Sequence, residues 1–375
     1  MSENTPKSRS QRIAIVHDFL TSYGGAERVL QAICKVYPDA PVYTLLADSS
    51  LTKEYFPKVR VRTSWLAKLP AFLRNRPKLL LLLFPAAIES FDLREYDLVI
   101  SSSGAWSKGL VTRLHTKHIA YLHSPMRFAW DKHRSYLQDL GLSLPFRIFG
   151  RFALSYLRVW DFQAADRPDL LLANSQFTKE RIAKYYRKPS EVVYPGIQIA
   201  EAVTEEKERT YFLVVSRLTR AKKVDVAIDA MNKLGLPLMV VGTGPEKEAL
   251  EGLAGKTVTF KGRVTDTELQ ALYQGARALI IPSEEDFGLV AVEALAAGTP
   301  VIASLRGGVR EIVLDQTHGL FFNTFMPEIL AEAILRFIQQ ESSFDRNVLR
   351  ARASFFSEER FMTEFKQAIE GFRER

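Results

Sequence analysis

The chain has 375 residues, 47% of them apolar and 25% charged, which is enough for two cores of ordinary size and too apolar for a disordered polypeptide. A single cysteine, Cys34, excludes an intrachain disulfide and fits a reducing compartment, and its apolar helical setting reads as plain core. The net charge of +8 says less than its placement, because residues 55–88 contain no acid at all.

In chain order, the polar start MSENTPKSRSQR lacks the apolar centre of a signal peptide. A strand is predicted over Ile13 to Val16, then a loop from His17 to Gly25. A helix follows with Ala26, Val29, Leu30, Ile33 and Tyr37 on one face. The next predicted strand is Val42 to Leu46. The acid-free stretch then carries Lys58, Arg60, Arg62, Lys68, Arg74, Arg76 and Lys78, interleaved with Trp65, Leu66, Leu69, Phe72 and Leu73. Pro70 and Pro77 break it into short pieces. Two readings stand open: peripheral contact with an anionic membrane through residues 58–84, or a basic solvated flank packed by its apolar side. Nucleic acid is the weakest partner, since no recognised motif accompanies the charge. The apolar run Leu79 to Ile88 contains Pro85 and is far too short to span a bilayer.

Further strands are predicted at Leu98 to Ser101, Ile119 to Leu122, Leu170 to Ala173 and Val192 to Tyr194. Between them Pro145 to Trp160 reads as a helix. Its Phe149, Phe152, Tyr156 and Trp160 recur at helical spacing and are expected to face the core. The charged stretch Glu201 to Arg209 reads as a linker. Beyond it, predicted strands at Tyr211 to Val215, Leu238 to Val241, Val258 to Phe260, Leu279 to Ile281 and Val301 to Ala303 alternate with helices. A last helix runs from about Glu358 to Phe372. Alternating strands and helices in both halves imply two doubly wound α/β domains, with ligands at the carboxyl ends of the strands.

The chemistry-bearing positions lie at those ends. Arg217 and Lys222 follow one strand; a planar guanidinium fork and a flexible ammonium together suit a diphosphate. Gly242 and Gly244 follow the next strand, where glycine permits positive φ or close approach. In IPSEEDFGLVAVEALAAGTPVIA, residues 281–303, Glu285 and Gly288 precede a helix N-terminus, where backbone N–H groups favour an anion. Glu293 lies about two turns further on. Tyr23-Gly24-Gly25 opens the first helix, and His123 ends a strand in the string Tyr121 to Asp131. No Asp-x-Asp and no metal-ligand spacing occurs, so no metal and no cofactor is expected.

The 281–303 string resembles the Glu-x7-Glu signature of glycosyltransferase family 4, the retaining GT-B nucleotide-sugar transferases. Ser216-Arg217-Leu218 to Lys222-Lys223 is similar to that family's Gly-Arg-Leu-x-x-x-Lys-Gly, with Ser216 and Lys223 in place of the two glycines. The Lys223 departure leaves open which lysine meets the phosphate. The string around His123 resembles the His-Ser/Thr-Pro-x-Arg-Tyr-x-Trp-Asp stretch of bacterial polysaccharide mannosyltransferases.

The resemblance implies a GT-B fold: two Rossmann-like domains facing across a cleft. Residues 1–197 would form the acceptor domain, joined by the returning helix 358–375, and residues 198–357 the nucleotide-sugar domain. It implies catalytic roles for His123, Glu285, Arg217 and Lys222. It implies donor contacts from Gly24, Gly25, Gly242, Gly244, Arg263, Val264, Phe287, Gly288, Leu289, Val290 and Glu293. Arg127 and Tyr23 are the acceptor candidates, Arg127 by its charge and place. The expected reaction is retaining transfer of a sugar, mannose from GDP-mannose first, to a glycan or lipid-linked acceptor in cell-surface polysaccharide synthesis. The expected place is the cytoplasm, with a peripheral position at the inner face of the plasma membrane left open. A non-catalytic nucleotide-sugar binder and a nucleotide-sugar epimerase of the same fold are the alternatives. A nicotinamide oxidoreductase is disfavoured, because no G-x-G-x-x-G follows the first strand.

Overall fold

A computed structural model describes residues 11–74, 76–139, 143–199 and 208–373. The amino-terminal stretch 1–10, most of the charged stretch Glu201 to Arg209 and the side chain of Lys78 lie outside the described residues. Contacts divide the chain into two compact units. The first holds residues 1–174, 178–193 and 362–375; the second holds 175–177 and 194–361.

The first unit is built on β1 (Ile13–Leu20), β2 (Val42–Ala47), β3 (Val61–Thr63), β4 (Leu98–Ser103), β5 (Lys117–Leu122), β6 (Leu170–Ala173) and β7 (Glu191–Val192). All pairings are parallel, in the order β3-β2-β1-β4-β5-β6-β7. Strands covered on both faces are buried along their length, and every residue of β4 is buried, its three serines included. β1 runs four residues past the predicted end, so His17 and Asp18 are strand residues and not loop. β3 was not anticipated. It turns the start of the acid-free stretch into a charged edge strand, a placement that discourages edge pairing. Leu66 is buried beyond it, and Leu69 and Leu73 pack on the core, while Trp65 and Phe72 are exposed. From the carboxy-terminal helix Glu358–Arg373, the ring of Phe365 meets Tyr121 at 5.9 Å.

The second unit is built on β8 (Tyr211–Val215), β9 (Leu238–Val241), β10 (Val258–Gly262), β11 (Ala276–Ile281), β12 (Val301–Ser304) and β13 (Gly319–Phe322). The order is β10-β9-β8-β11-β12-β13, again parallel throughout. Helices cover both faces, and local chemistry sets their ends. Thr265 and Glu268 form a reciprocal capping box at the start of Asp266–Gln274, and Gly235 (φ 63°) ends Val224–Leu234 in the left-handed region. Two parallel α/β units of this kind are what the resemblance to GT-B proteins implies.

One expectation fails outright. The helix Leu144–Ala164 forms as predicted, but of its aromatic stripe only Trp160 is buried; Phe149, Phe152 and Tyr156 are exposed. The inward face is carried by Leu154, Leu157, Trp160, Asp161 and Ala164. Apolar residues line both sides of this helix, aromatic on the outer and mainly aliphatic on the inner, so periodicity alone assigned the stripe to the wrong face.

Candidate active site

In the second unit the chain order reverses between β8 and β11. Open parallel sheets bind ligands at such a switch point, outside the strands' carboxyl ends. The β8 loop carries Arg217 and Lys222; the β11 loop carries Ser283, Glu285 and Gly288. The Lys222 ammonium donates to both oxygens of Glu285, at 2.8 and 2.6 Å, and the Ser283 hydroxyl donates to Oε1 at 2.5 Å. Lys222 and Glu285 are both partly shielded, at 32% and 17% exposure, so the pair is screened less than a surface ion pair. Arg217, on the same loop, is exposed. Lys223 takes φ 54°, a left-handed conformation that explains the family's glycine at that place. Of the two lysines, Lys222 is the one seated on Glu285.

Backbone geometry fixes the rest of this face. Gly288 (φ 101°) is the N-cap of the helix Leu289–Ala296, and a Cβ there would meet Val309 at 2.7 Å. Gly242 (φ 128°) lies so close to the Ser216 carbonyl that a Cβ would stand 1.9 Å from its oxygen. Gly244 passes equally near Leu218 without positive φ. These approaches stitch the β8 and β9 loops together, with Leu218 N–H donating to the Thr243 carbonyl at 2.9 Å. Glu293 accepts from the Tyr273 hydroxyl at 2.8 Å. Phe287 is buried between Tyr194 and Phe356, and Leu289, Val290 and Val264 are half-buried on the same core. Arg263 is exposed beside Gly262.

In the first unit the reversal falls between β1 and β4. There His17 and Ser102 are register partners, and His123 follows β5. Glu27 Oε1 lies 3.5 Å from His17 Nε2, His17 Nδ1 3.0 Å from Ser102 Oγ, and Ser102 Oγ 2.8 Å from His123 Nε2. Burial first, and then His17, push the His123 imidazole down to about 3, so it is neutral near pH 7. Where Glu27 accepts from His17 Nε2–H across that 3.5 Å and His17 carries no hydrogen on Nδ1, the directions of the other two bonds follow. His17 Nδ1 then accepts from the Ser102 hydroxyl, and Ser102 accepts from His123 Nε2–H. The chain of bonds leaves His123 Nδ1 as the acceptor nitrogen.

The loop after His123 is fastened at several points. Arg181, buried, donates to Ser124 Oγ at 2.9 Å and to Asp131 Oδ1 at 3.2 Å. Trp130 Nε1–H donates to Asp161 Oδ2 at 2.7 Å. Arg127 pairs with Asp131 at 3.6 Å. Gly24 is the extended N-cap of the helix Gly25–Val36. Tyr23 stacks on Tyr55 at 3.7 Å and donates to Gln31 at 2.6 Å, contacts that hold the helix in place. Asp18 accepts from the backbone N–H groups of Gly104, Ala105, Trp106 and Ser107, tying β1 to the loop after β4.

The comparisons agree with these geometries. Residues 197–354 match the family model for glycosyl transferases group 1, and residues 23–201 match that for glycosyltransferase family 4. The chain is a glycosyltransferase-family-4-like protein. An uncharacterized glycosyltransferase of Methanocaldococcus jannaschii is 29% identical over 206 residues, 54% of this chain and 56% of that one. A D-inositol 3-phosphate glycosyltransferase of Mycobacteroides abscessus is 29% identical over 52% of this chain and 51% of its own length. The matched segments thus span about half the length of these curated relatives. Among solved structures, Anabaena HepE in complex with UDP and glucose has a TM-score of 0.70 at 20% identity, covering 96% of this chain and 99% of that one. Sucrose-phosphate synthase from Thermosynechococcus elongatus reaches 0.73, also at 20% identity, over 96% of this chain and 98% of that one. At such identities the likeness establishes the fold.

In this family-4-like chain the sequence-derived residues thus form two groups, one in each unit. The second unit brings Lys222, Glu285 and Gly288 together. The first joins His123 to His17, Ser102 and Glu27. Ser102 and Ser283 were missed in the sequence. Each is a small hydroxyl at the carboxyl end of a buried strand, and that position was the only available signal. Among the described residues no three His, Cys, Asp or Glu side chains are grouped so as to hold a metal ion.

Proposed function

We propose that the protein is a retaining glycosyltransferase. It moves a sugar from a nucleoside diphosphate to a glycan or lipid-linked acceptor in cell-surface polysaccharide synthesis, with mannose from GDP-mannose as the first candidate. One observation carries the reading: Lys222, Glu285 and the N-cap glycine Gly288 meet at the switch point of the second sheet. Charge develops on the diphosphate as the glycosidic bond breaks. Arg217, Lys222 and the first-turn N–H groups at Leu289 and Val290 are the donors that would meet it without reorganising. Glu285, already fixed by Lys222 and Ser283, would hold sugar hydroxyls while Lys222 shares its three N–H donors between carboxylate and phosphate. Glu293 would hold the ribose, and the backbone at Arg263 and Val264 the base. Gly24 and Gly25 are the first unit's candidates for contact with donor phosphate.

His123 is assigned to positioning the transferred sugar, with the leaving phosphate deprotonating the acceptor on the same face. Arg127 is the candidate for an acceptor phosphate, with Tyr23 beside the Gly24-Gly25 loop. The mannose assignment rests on the His123 string alone. Among the relatives and neighbours, the names include inositol phosphate as a substrate and UDP with glucose as ligands. The deciding experiment is a thermal-shift screen against GDP, UDP and ADP sugars, followed by transfer or slow hydrolysis of the one that binds. A ligand at 100 times its dissociation constant raises stability by about 2.7 kcal/mol, a shift well within reach of the method. No shift and no turnover with any donor would end the reading.

A further inference from the structure

We propose that the outer face of the helix Leu144–Ala164 is an in-plane docking surface for an anionic lipid bilayer. The helix is apolar on both sides. Its inner side is in the core, and its outer side carries Phe146, Phe149, Phe152, Tyr156, Val159 and Phe162, each between 36% and 72% exposed. Scattered exposed apolar residues are ordinary on a surface, but a row of five aromatics and a valine along one helix is not.

Charge decides the occupant. The helix has one acid, Asp161, and it is fully buried. The charged residues nearer its amino terminus, Arg147 and Arg151, are both basic and flank the aromatic row. A second copy packed on this face would set arginine against arginine with no carboxylate of the helix to answer it. An anionic headgroup layer supplies the missing charge, and the acyl boundary takes the rings.

The helix is held so that only this face can enter. Asp161 accepts from the buried Lys108 ammonium, from Trp130 Nε1–H at 2.7 Å and from the Tyr186 hydroxyl at 2.8 Å, while Trp160 Nε1–H donates to Glu89 at 2.9 Å. No helix among the described residues is long and apolar enough to cross a membrane. With its inner side committed to the core, the helix would lie along the interface. Trp130 belongs to the loop that starts at His123, so the bilayer-facing helix and that loop are mechanically joined. Only this link to a lipid-linked acceptor rests on the proposed function; docking does not.

The test is co-sedimentation of the full chain with vesicles of phosphatidylcholine alone or with roughly one-third phosphatidylglycerol. The parent should bind the anionic vesicles, and less as salt rises. A Phe149→Ser/Phe152→Ser/Tyr156→Ser variant should bind about tenfold less or worse, and Arg147→Gln/Arg151→Gln should lose the preference for anionic lipid. Phe149→Trp keeps the face apolar and guards against misfolding of the serine variant; its added emission should move to the blue on anionic vesicles. Equal binding by parent and serine variant, or no shift from Phe149→Trp, overturns the proposal. Loss of binding in Arg74→Gln/Arg76→Gln with none in the serine variant would assign the contact to the basic segment instead. A parent that binds no vesicle and runs as a dimer, made monomeric by the serine variant, would assign the face to a second copy.

Discussion

Replacing Ser102 with alanine tests whether the bond chain Glu27–His17–Ser102–His123 sets the state of His123. The hydroxyl is buried and bridges two imidazoles at 3.0 and 2.8 Å. Without it, His17 Nδ1 and His123 Nε2 both lose their partner, and His123 is no longer held to the tautomer with its hydrogen on Nε2. Leaving buried polar atoms unmade costs about 1–3 kcal/mol. If that loss falls wholly on the transition state, transfer slows by about 5- to 150-fold; if it falls on folding, the melting temperature drops instead. Two measurements separate these outcomes. Steady-state transfer gives kcat and KM, and nitrogen NMR of labelled imidazoles reads the tautomer directly. Ser102→Ala should lower kcat with KM nearly unchanged and mix the His123 tautomers. Ser102→Thr, which keeps the hydroxyl, should restore both. Parent-like NMR signals and parent-like kcat in Ser102→Ala would refute the deduction, and the position of His123 would then rest on backbone alone.

Other expected outcomes follow from the same contacts. Lys222→Ala and Glu285→Ala should each lower transfer by about a hundredfold, and the double variant should lose far less than the product, since the partners act as one unit; strictly multiplicative losses would separate them. Burial pushes His118 and His123 down to about 3, with Arg167 adding to the first and His17 to the second. Both titrate near 6.5 when unfolded, so stability is full above that pH. It falls as the pH drops toward 3, because only the unfolded chain takes up the protons. The slope is about 1.4 kcal/mol per pH unit per histidine, and urea midpoints that stay flat between about pH 7 and about pH 5 would contradict it. Asp161→Ala strands the buried Lys108 ammonium and should cost about 3–5 kcal/mol in urea unfolding, whereas an effect under about 1 kcal/mol would mean water reaches that ammonium. Lys223→Gly relieves a left-handed residue and should raise stability by up to about 1 kcal/mol, measured by the same titration; a loss would show that the lysine side chain supports the loop.

How much of this was legible in the sequence depends on what each feature encodes locally. The parallel sheets were readable because strands buried on both faces are mostly apolar runs, as in β8 and β9. The second-unit loops were readable because their geometry demands particular residues: Gly242 and Gly288 stand at positive φ against neighbouring atoms that leave no room for a Cβ. Ser102 carries no such mark, since a serine at a strand end becomes meaningful only when register sets it beside His17. β3 and β13 were missed for a related reason. Each is short, and its pairing with β2 or β12 is a property of the sheet and not of its three or four residues. The Leu144–Ala164 helix shows the limit most clearly. Period 3.6 identifies a helix from either of its faces, and when both are apolar the spacing does not say which one the core takes. Asp161 lies on the inward face with Leu154, Leu157 and Trp160, bonded to Lys108, Trp130 and Tyr186, and Phe149 and Phe152 face outward. A polar residue with several buried partners thus marks the inward face of that helix where its apolar spacing does not, and the exposed stripe is the surface on which the docking proposal rests.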